Sequence, residues 1–237
     1  MNFGSITTPI VVDGLVFNMD AANRASYPKT GTTWTDTING NSGTLINDPT
    51  FDSANNGSIV FDGTDGKITI PDSNSNFSFN NGVNDLPFSL NIWVKISNNV
   101  SSADKNFFTK TNIWLISVDK FSAFATLKTG NPNTFIQRKV SFGNGWFNSY
   151  SGEWINFSST YNGSETPSGI KLYLNGVRID TTDASLSTYT GMNPSSTSDI
   201  VLGNGILGSV ANVQIYNKEL SASEVLHNYN ALKDRFI

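Results

Sequence analysis

Two aspartates stand close together in the segment FDGTDG, residues 61–66. Asp62 and Asp65 lie among two glycines and a threonine, and the alternating segment KITI follows directly. Calcium takes six to eight oxygen ligands from carboxylates, amides and backbone carbonyls, so this acidic loop offers part of a calcium site. The spacing does not match an EF-hand, which also needs a glutamate six residues after its glycine. The favoured alternative is a tight turn whose aspartates accept hydrogen bonds from their own backbone.

A third aspartate, Asp20, is the other candidate ligand for calcium. It follows the apolar segment LVFNM, and Asn23 comes shortly after it. The simpler interpretation is again structural, since an aspartate at the end of a strand caps the turn that follows. Calcium at Asp20, Asp62 or Asp65 is therefore a hypothesis that competes with a structural role for each residue.

Residues 142–154, FGNGWFNSYSGEW, contain aromatic side chains interspersed with amide side chains. Sugar sites in proteins place an aromatic ring against an apolar ligand face and surround it with polar groups. Trp146 and Tyr150 supply rings, Asn148 supplies an amide, and Trp114 is a further candidate outside the segment. We expect a sugar-binding loop here. The competing interpretation is that Trp146 packs into the protein interior.

Other catalytic and metal chemistries have little support in the residue inventory. The chain has one histidine, His227, and no cysteine, so a zinc site with several histidines or thiolates is excluded. A Ser-His-Asp triad would need His227, which falls in the predicted C-terminal helix. The glycine-rich segment 203–209 lacks the lysine and the following helix of a phosphate loop.

Length and charge restrict the partners. The 237 residues fit one large all-β domain or two small ones. Charged residues make up 14% of the chain and the formal net charge is −4, so we expect no nucleic-acid partner. The N-terminus lacks the pattern of a secretory signal, and no apolar run approaches the roughly 20 residues that cross a bilayer. We therefore expect no membrane insertion.

Strand patterning dominates the chain. Apolar residues recur with period two over 87–96, 153–161 and 208–217, which predicts strands with one buried face. Asn175-Gly176 lies between two alternating runs and predicts a hairpin with a type I′ turn, because both residues tolerate positive φ. Asp119-Lys120 predicts a second two-residue hairpin.

Other segments complete the predicted architecture. The polar stretches 97–105 and 181–198 predict surface loops, and Trp34 is expected in the core. Many short strands with regular turns need two sheets to bury their apolar faces. The sequence therefore predicts one β-sandwich over residues 13–237, preceded by an N-terminal arm, residues 1–12, with an anchoring role.

Only the C-terminus shows helical periodicity. Ser221 and Glu224 have the spacing of a capping box, and Leu220 and Val225 are placed to form a hydrophobic staple. Apolar residues then recur at helical spacing. We predict one amphipathic helix over about 221–233, docked on the outside of the sheets.

Four segments together resemble the concanavalin A-like lectin/glucanase superfamily in its laminin-G-like and pentraxin-like branch. They are residues 13–45, 58–70, 172–180 and 207–225. The last contains the pattern G-x-[IV]-x-x-[VI]-x-[IV]-Y-N-x-x-L-S-x-x-E. The resemblance implies an all-β jelly-roll sandwich of two antiparallel sheets. It also implies carbohydrate binding, in some members with calcium, and glycoside hydrolysis in some branches.

The hydrolytic branch can be tested on the carboxylates. Hydrolases of this fold resemble one another in an E-x-D-x-E strand, whereas this chain has four glutamates and none begins such a strand. Glu153 begins a predicted strand but has no acidic residue at the second or fourth position after it. Glycosidases need a pair of carboxylates at the scissile bond. We therefore expect that the protein is not an enzyme.

The opening segment also resembles domains of bacteriophage and bacterial surface proteins. Two functions follow from this resemblance. The first is a non-catalytic carbohydrate-binding or adhesion module on a virion surface or tail fibre, with a cell-surface glycan as partner. The second is a purely structural virion protein, a capsid decoration or fibre subunit that contacts other virion proteins. Either is expected in many copies or as a homo-oligomer, on the virion surface after assembly in the host cytoplasm, or else at a cell surface.

Overall fold

The computed structural model describes residues 9–97, 105–143, 145 and 150–237, and its strands form two antiparallel sheets. Strands are numbered along the chain. Sheet A contains β1 Leu15–Asp20, β4 Thr50–Asp52, β5 Ser58–Asp62, β7 Phe88–Ile96, β12 Trp154–Tyr161, β13 Ile170–Leu174, β14 Val177–Arg178 and β17 Leu207–Tyr216. Their spatial order is β14-β13-β12-β7-β17-β5-β4, and β1 pairs with the second half of β17.

Sheet B covers the other side of the sandwich. It contains β2 Thr33–Thr35, β3 Ser42–Ile46, β6 Lys67–Ile70, β8 Lys105–Lys110, β9 Trp114–Val118, β10 Ser122–Lys128, β11 Phe135–Ser141, β15 Thr182–Leu186 and β16 Ile200–Leu202. The spatial order is β15-β11-β10-β9-β8-β16-β6-β3-β2. Short 3-10 turns span Ala54–Asn56, Pro167–Gly169 and Lys233–Arg235, and the C-terminal helix α1 spans Ala222–Leu232. The predicted two-sheet jelly-roll sandwich with a C-terminal helix is confirmed.

Large apolar side chains from both sheets fill the space between them. Among the fully buried ones are Phe17, Trp34, Ile92, Phe107, Phe108 and Phe157. Each such side chain contributes about 1.5–3 kcal/mol when it leaves water. The core position that the sequence predicted for Trp34 is confirmed.

Strand β7 is buried on both faces, whereas its period-two pattern predicted only one buried face. Leu90 and Ile92 face sheet B, and the opposite-facing Asn91 and Trp93 are also buried. The outer face of sheet A, which is the face turned away from sheet B, is covered at Trp93 by Tyr229 and by residues after α1. Because this cover comes from a segment more than 130 residues later, the local pattern of β7 could not reveal it.

Two turns and one loop compare with their predictions as follows. Asn175 has φ 50° and Gly176 has φ 79°, as a type I′ turn requires, so this hairpin is confirmed. In the β9–β10 hairpin the Asp119 amide donates to the Ser122 carbonyl at 2.9 Å. The loop is therefore residues 120–121, one position later than predicted. The predicted surface loop 181–198 contains the edge strand β15, which pairs with β11.

Helix α1 begins as predicted. The Glu224 amide donates to Ser221 Oγ at 3.3 Å, and the Ser221 amide donates to Glu224 Oε2 at 2.8 Å, which completes the capping box. Leu220 and Val225 are buried in one cluster. A hydrogen bond from Lys218 is the main factor that lowers the pKa of Glu224. In the part of the chain that the structure describes, no helix has both the length and the apolar character to cross a membrane.

The described part of the N-terminal arm lies along α1. The Val11 amide donates to Asn228 Oδ1 at 2.8 Å, and His227 Nε2 lies 2.8 Å from the Pro9 carbonyl oxygen. The Tyr216 hydroxyl lies 3.0 Å from the Val11 carbonyl oxygen. Residues 9–12 are thus joined to the sandwich by hydrogen bonds, and residues 1–8 lie outside the described residues.

Candidate functional site

Several loops meet at one end of the sandwich. On the sheet A side, Asp62 at the end of β5 pairs with Leu207 at the start of β17. The next residue of β17 pairs with Ile96 at the end of β7, and the Gly152 amide donates to the Ile96 carbonyl at 2.6 Å. The acidic turn 62–66 therefore lies at the same end of the sandwich as the segment before β12.

The sheet B side places the β9–β10 hairpin at that end as well. Leu202 pairs with Ile68 near the start of β6 and with Phe108 on β8, while Lys105 at the start of β8 pairs with Val118. We call this end the loop rim and define it as residues 62–66, 119–121, 142–143 and 150–153. Because β6 and β9 are three strand spacings apart, about 14 Å separate the acidic turn from the hairpin.

An aromatic cluster occupies one side of the loop rim. The rings of Phe142 and Tyr150 meet edge to face with centroids 5.9 Å apart. The Phe142 amide donates to the Phe121 carbonyl at 2.7 Å, and the Phe121 side chain is 52% exposed. Lys120 Nζ lies 5.1 Å from the centroid of the Phe121 ring. An exposed ring beside polar groups is suited to contact the apolar face of a sugar.

Phe121 was missed by the sequence analysis because it was assigned to the strand after an Asp119-Lys120 turn. The one-residue shift of that turn places Phe121 in the loop instead. Its position directly after an Asp-Lys pair was the signal that could have indicated an exposed ring. Of the predicted sugar-binding residues, Tyr150 joins this cluster, whereas Trp146 and Asn148 lie outside the described residues.

Trp114 lies in the core and not on the loop rim. Its side chain is 1% exposed, and its Nε1 donates to the Phe77 carbonyl at 2.7 Å. The ring of Phe108 meets it edge to face with centroids 5.0 Å apart. Because neighbouring side chains cover both faces of the ring, Trp114 cannot stack on a sugar in this structure.

The aspartates of the acidic turn form local hydrogen bonds. Asp62 Oδ1 accepts from the Thr64 amide at 2.9 Å, as expected for a turn closed by its own aspartate. Asp65 Oδ2 accepts from Asn47 Nδ2 at 2.8 Å. Among the residues that the structure describes, no three His, Cys, Asp or Glu side chains cluster closely enough to hold a metal ion. The structural alternative for this turn therefore matches the observed bonds.

Asp20 belongs to a different part of the molecule. Both of its carboxylate oxygens accept from Arg235 Nη1, at 2.9 and 3.0 Å, and Oδ1 also accepts from the Ala22 amide at 2.9 Å. Asp20 pairs with Asn212 on β17, five residues from Leu207, the partner of Asp62. Five residues of strand span about 16 Å, so Asp20 and Asp62 cannot bind the same ion.

A pair of carboxylates at the opposite end of the sandwich holds loops together. Asp85 is buried and accepts hydrogen bonds from the hydroxyls of Tyr161 and Tyr189 at 3.0 and 2.7 Å. Its other oxygen accepts from Asn80 Nδ2 and the Met192 amide, at 2.9 and 2.7 Å. Glu165 Oε1 accepts from the Asp85 amide at 3.1 Å. Burial raises the pKa of both tyrosines. The arrangement joins three loops and leaves Asp85 inaccessible to a substrate.

Comparison with known proteins agrees with this architecture. A family model described as the concanavalin A-like lectin/glucanases superfamily matches residues 62–226, which is more than half of the chain. No curated protein matches the chain.

Solved structures show the same fold at low sequence identity. The binding domain of botulinum neurotoxin serotype D/C VPI 5993 has a TM-score of 0.70 and 17% identity, over 92% of this chain and 52% of that one. The botulinum neurotoxin DC binding domain in complex with SialylT has a TM-score of 0.68 and 18% identity, over 93% and 52%. The binding domain of Paraclostridial Mosquitocidal Protein 1 has a TM-score of 0.67 and 18% identity, over 92% and 52%. The chain thus spans about half the length of these structures.

Proposed function

Because the chain belongs to the concanavalin A-like lectin/glucanases superfamily, we propose that it is a non-catalytic carbohydrate-binding or adhesion module. The observation that carries this proposal lies on the loop rim: the side chain of Phe121 is half exposed, its carbonyl accepts from the Phe142 amide, and the Phe142 ring meets the ring of Tyr150. The sugar would lie against the Phe121 ring, and polar groups of the neighbouring loops would hydrogen-bond to its hydroxyls. Loops on a rigid sandwich are a common place for binding residues.

The structural neighbours support a binding role in general terms. One of them was solved with SialylT and another with rat synaptotagmin II. Since this chain matches only about half of either structure, those ligands are not transferred to it. They support a binding role for such a domain and do not identify a glycan for this chain.

The hydrogen bonds of the acidic residues support a role without hydrolysis. Asp85 accepts four hydrogen bonds in a buried position, and Asp20 is paired with Arg235. Glu224 caps α1 and Glu219 pairs with Lys171. A glycosidase needs one carboxyl group that can give up a proton and a second that can act as base or nucleophile. These carboxylates instead have structural partners.

A shallow rim implies weak binding at each copy. Sugar hydroxyls exchange hydrogen bonds with water for similar bonds with protein, so each bond adds little net free energy. Linked copies raise the effective concentration, and avidity can exceed single-site affinity by roughly 10²–10⁴. Weak single sites therefore imply many copies. As part of the same proposal, we place these copies on a virion surface or tail fibre that attaches to cell-surface glycans.

A glycan array tests the binding role. Purified protein is displayed in multivalent form on a streptavidin scaffold, and the variants are Phe121→Ala, Tyr150→Ala and Trp146→Ala. Val177→Ala is the matched control, because it also truncates an exposed apolar residue of a hairpin. We expect the wild type and the control to bind a shared set of glycans. Phe121→Ala should no longer bind these glycans. Equal binding by Phe121→Ala would contradict the proposed surface.

Attachment of virions to host cells tests the finer part of the proposal. Particles that carry Trp146→Ala together with Tyr150→Ala are expected to attach more weakly than wild-type particles. If particles that lack the protein attach normally but break easily, the structural virion protein becomes the better interpretation. Release of reducing ends from a polysaccharide, abolished by substitution of an acidic pair, would show hydrolysis and refute the non-catalytic role.

A further inference from the structure

An open cleft lies at the end of the sandwich opposite the loop rim. Its walls come from β1, the loop between β2 and β3, residues 75–80, and the segments that precede β7 and follow β17. Its volume is about 430 Å³, which lies within the range of about 300–1,000 Å³ that is typical of sites for small molecules. Half of its lining residues are asparagines, and we call it the asparagine cleft: Asn39, Asn41, Asn76, Asn80 and Asn217.

The asparagine cleft is separate from the loop rim. Asn217 directly follows Tyr216, which pairs with Ser89 near the start of β7. The loop rim instead lies beside Ile96, at the end of the same strand. Strand β7 spans about 26 Å, so a single sugar unit cannot contact both places.

A buried carboxylate fixes one wall of the cleft. Asp36 is 1% exposed, and it accepts from the Ile38 and Asn39 amides at 2.9 and 3.0 Å. It also accepts from Asn41 Nδ2 at 2.9 Å, while Asn39 Nδ2 donates to the Val16 carbonyl at 2.7 Å. Because a carboxylate and a carbonyl only accept, these bonds set the orientation of both side-chain amides. The Oδ1 atoms of Asn39 and Asn41 are left without a partner among the described residues.

A second buried carboxylate fixes the facing loop. Asp72 accepts from the Asn76 and Phe77 amides at 2.8 and 3.1 Å, and it pairs with buried Lys110 at 2.7 Å. These bonds use the backbone of Asn76 and leave its side chain exposed. The side-chain amides of Asn76 and exposed Asn217 form no hydrogen bond with any residue that the structure describes. Each therefore offers an accessible donor and an accessible acceptor.

The charges around the cleft favour an uncharged ligand. None of the described residues that line it is ionisable. Behind the lining, Asp85 is buried and accepts from Asn80 Nδ2 at 2.9 Å. Lys218, the residue after Asn217, is paired with Asp13 and Glu224 at 2.6 and 2.8 Å. An ion would therefore lose water in the cleft without meeting a free opposite charge.

We propose that the asparagine cleft binds a neutral saccharide unit. Sugar hydroxyls can donate to the Oδ1 atoms of Asn39 and Asn41, and they can accept from the amides of Asn76 and Asn217. Leu86, which is 40% exposed, provides an apolar contact for the C–H groups of the ring. A sugar ring carries several hydroxyls close together, whereas a peptide backbone offers one N–H per residue. The cluster of amide groups thus suits a sugar better than a peptide.

This site does not rest on the aromatic cluster of the loop rim. It gives each chain two sugar subsites at opposite ends of the sandwich, so that one chain can link two glycan chains. The two buried carboxylates hold its polar groups in place before a ligand arrives. Such preorganisation lowers the entropy cost of binding.

Saturation-transfer NMR with three neutral probes tests the cleft: N-acetyl-D-glucosamine, methyl α-D-mannopyranoside and methyl β-D-galactopyranoside at millimolar concentration. Every sample carries Phe121→Ala, so that the exposed ring of the rim does not supply the signal. Asn76→Trp and Asn217→Trp block the cleft. Asn74→Trp is the matched control, because it adds the same ring at an exposed position of the same loop outside the lining. We expect at least one probe to bind the control, and each blocking variant to weaken it on the order of tenfold or more.

Two further measurements define the ligand. Asn76→Ala removes one accessible amide and should weaken the probe about threefold to tenfold, whereas Asn74→Ala should leave its affinity unchanged. N-acetylneuraminic acid, an anionic sugar, should bind more weakly than the neutral probes. Loss of binding in either blocking variant, with binding retained in Asn74→Trp, supports the proposal even if the glycan array shows no role for the rim.

The proposal is overturned if no neutral probe binds, or if binding persists in both blocking variants. It is also overturned if acetyl-trialanine amide, a neutral peptide, occupies the cleft while the sugars do not. Stronger binding of the anionic sugar than of the neutral probes would refute the neutral character of the ligand.

Discussion

The ring of Trp93 stacks on the ring of Phe236, with centroids 4.3 Å apart and the ring planes inclined by 20°. Phe236 also contacts Trp154, with centroids 4.8 Å apart. The residues after α1 therefore close an apolar patch on the outer face of sheet A. This contact explains why Trp93 is fully buried although the alternation of β7 places it on the polar side.

The first prediction concerns this contact. Phe236→Ala should lower the free energy of unfolding by about 2 kcal/mol, below the 3–5 kcal/mol of a fully buried phenylalanine, because Phe236 is only half-buried. Urea unfolding followed by tryptophan fluorescence measures the change. Ile237→Ala, at the exposed neighbouring position, should have little effect. Equal stability of the two variants would argue against a structural role for the stacked ring.

A second relationship joins the two sheets. Asp180 accepts from Arg178 of sheet A through Nε at 2.8 Å and forms an ion pair with Arg138 of sheet B at 2.7 Å. Burial raises the pKa of Asp180, but hydrogen bonds from Arg178, the Leu172 amide and Arg138 outweigh it and lower the pKa from 3.8 to about 2. The charged form is thus favoured by folding.

The second prediction follows from the sign of that shift. A lowered pKa in the folded state contributes stability above the unfolded value near 3.8, and this contribution is lost as the pH falls toward 2. Asp180→Asn should cost about 2 kcal/mol at neutral pH and flatten the acid dependence in that window. Urea titrations at several pH values measure both effects. Asp183 is the other ion-pair partner of Arg138, and its side chain is 47% exposed. Asp183→Asn should therefore change the free energy of unfolding much less.

The third prediction tests the helix cap. Ser221→Ala removes the side chain that accepts from the Glu224 amide and should destabilise the protein by about 1 kcal/mol. Asn230→Ala, at an exposed position of the same helix, serves as the control. Thermal unfolding followed by circular dichroism compares the two. A loss that is no larger for Ser221→Ala than for Asn230→Ala would mean that packing of Leu220 and Val225 alone fixes the helix start.

The fourth prediction retains calcium at the acidic turn. A ligand that binds only the native state raises the melting temperature by mass action. We expect millimolar calcium to raise it relative to a chelator, and Asp62→Asn with Asp65→Asn to abolish the rise. Asp20→Asn should lower stability through Arg235 without changing the response to calcium. An identical melting temperature with calcium and with chelator would contradict a site at this turn.

Local patterns predicted those parts of the fold that depend on neighbouring residues. The type I′ turn at Asn175-Gly176 and the capping box at Ser221 require only residues within a few positions, and both are present. The edge strand β15 was missed because Thr182–Leu186 is short and largely exposed, and Ala184 and Leu186 are its only apolar residues. Its pairing with β11 is a tertiary contact that overrides local propensity.

The burial of Asn212 and Gln214 could not be predicted for a related reason. Asn212 and Gln214 alternate with apolar residues and therefore look like the exposed face of a strand. Their burial depends on α1 and residues 9–10, and the bulge at Ala211 shifts the register in a way that the sequence does not mark. The exposed ring of Phe121 likewise depended on a one-residue shift in a turn.

The pairing of β1 with the second half of β17 has a consequence for how the protein is made. Nearly 200 residues separate these strands along the chain. At about 5–20 residues per second, a ribosome needs about 10–40 s to proceed from one to the other. Until β17 emerges, β1 and β7 both have an open edge, and unpaired edges readily accept strands from other chains. Nascent copies on one messenger can therefore exchange β17 before each chain completes its own sheet.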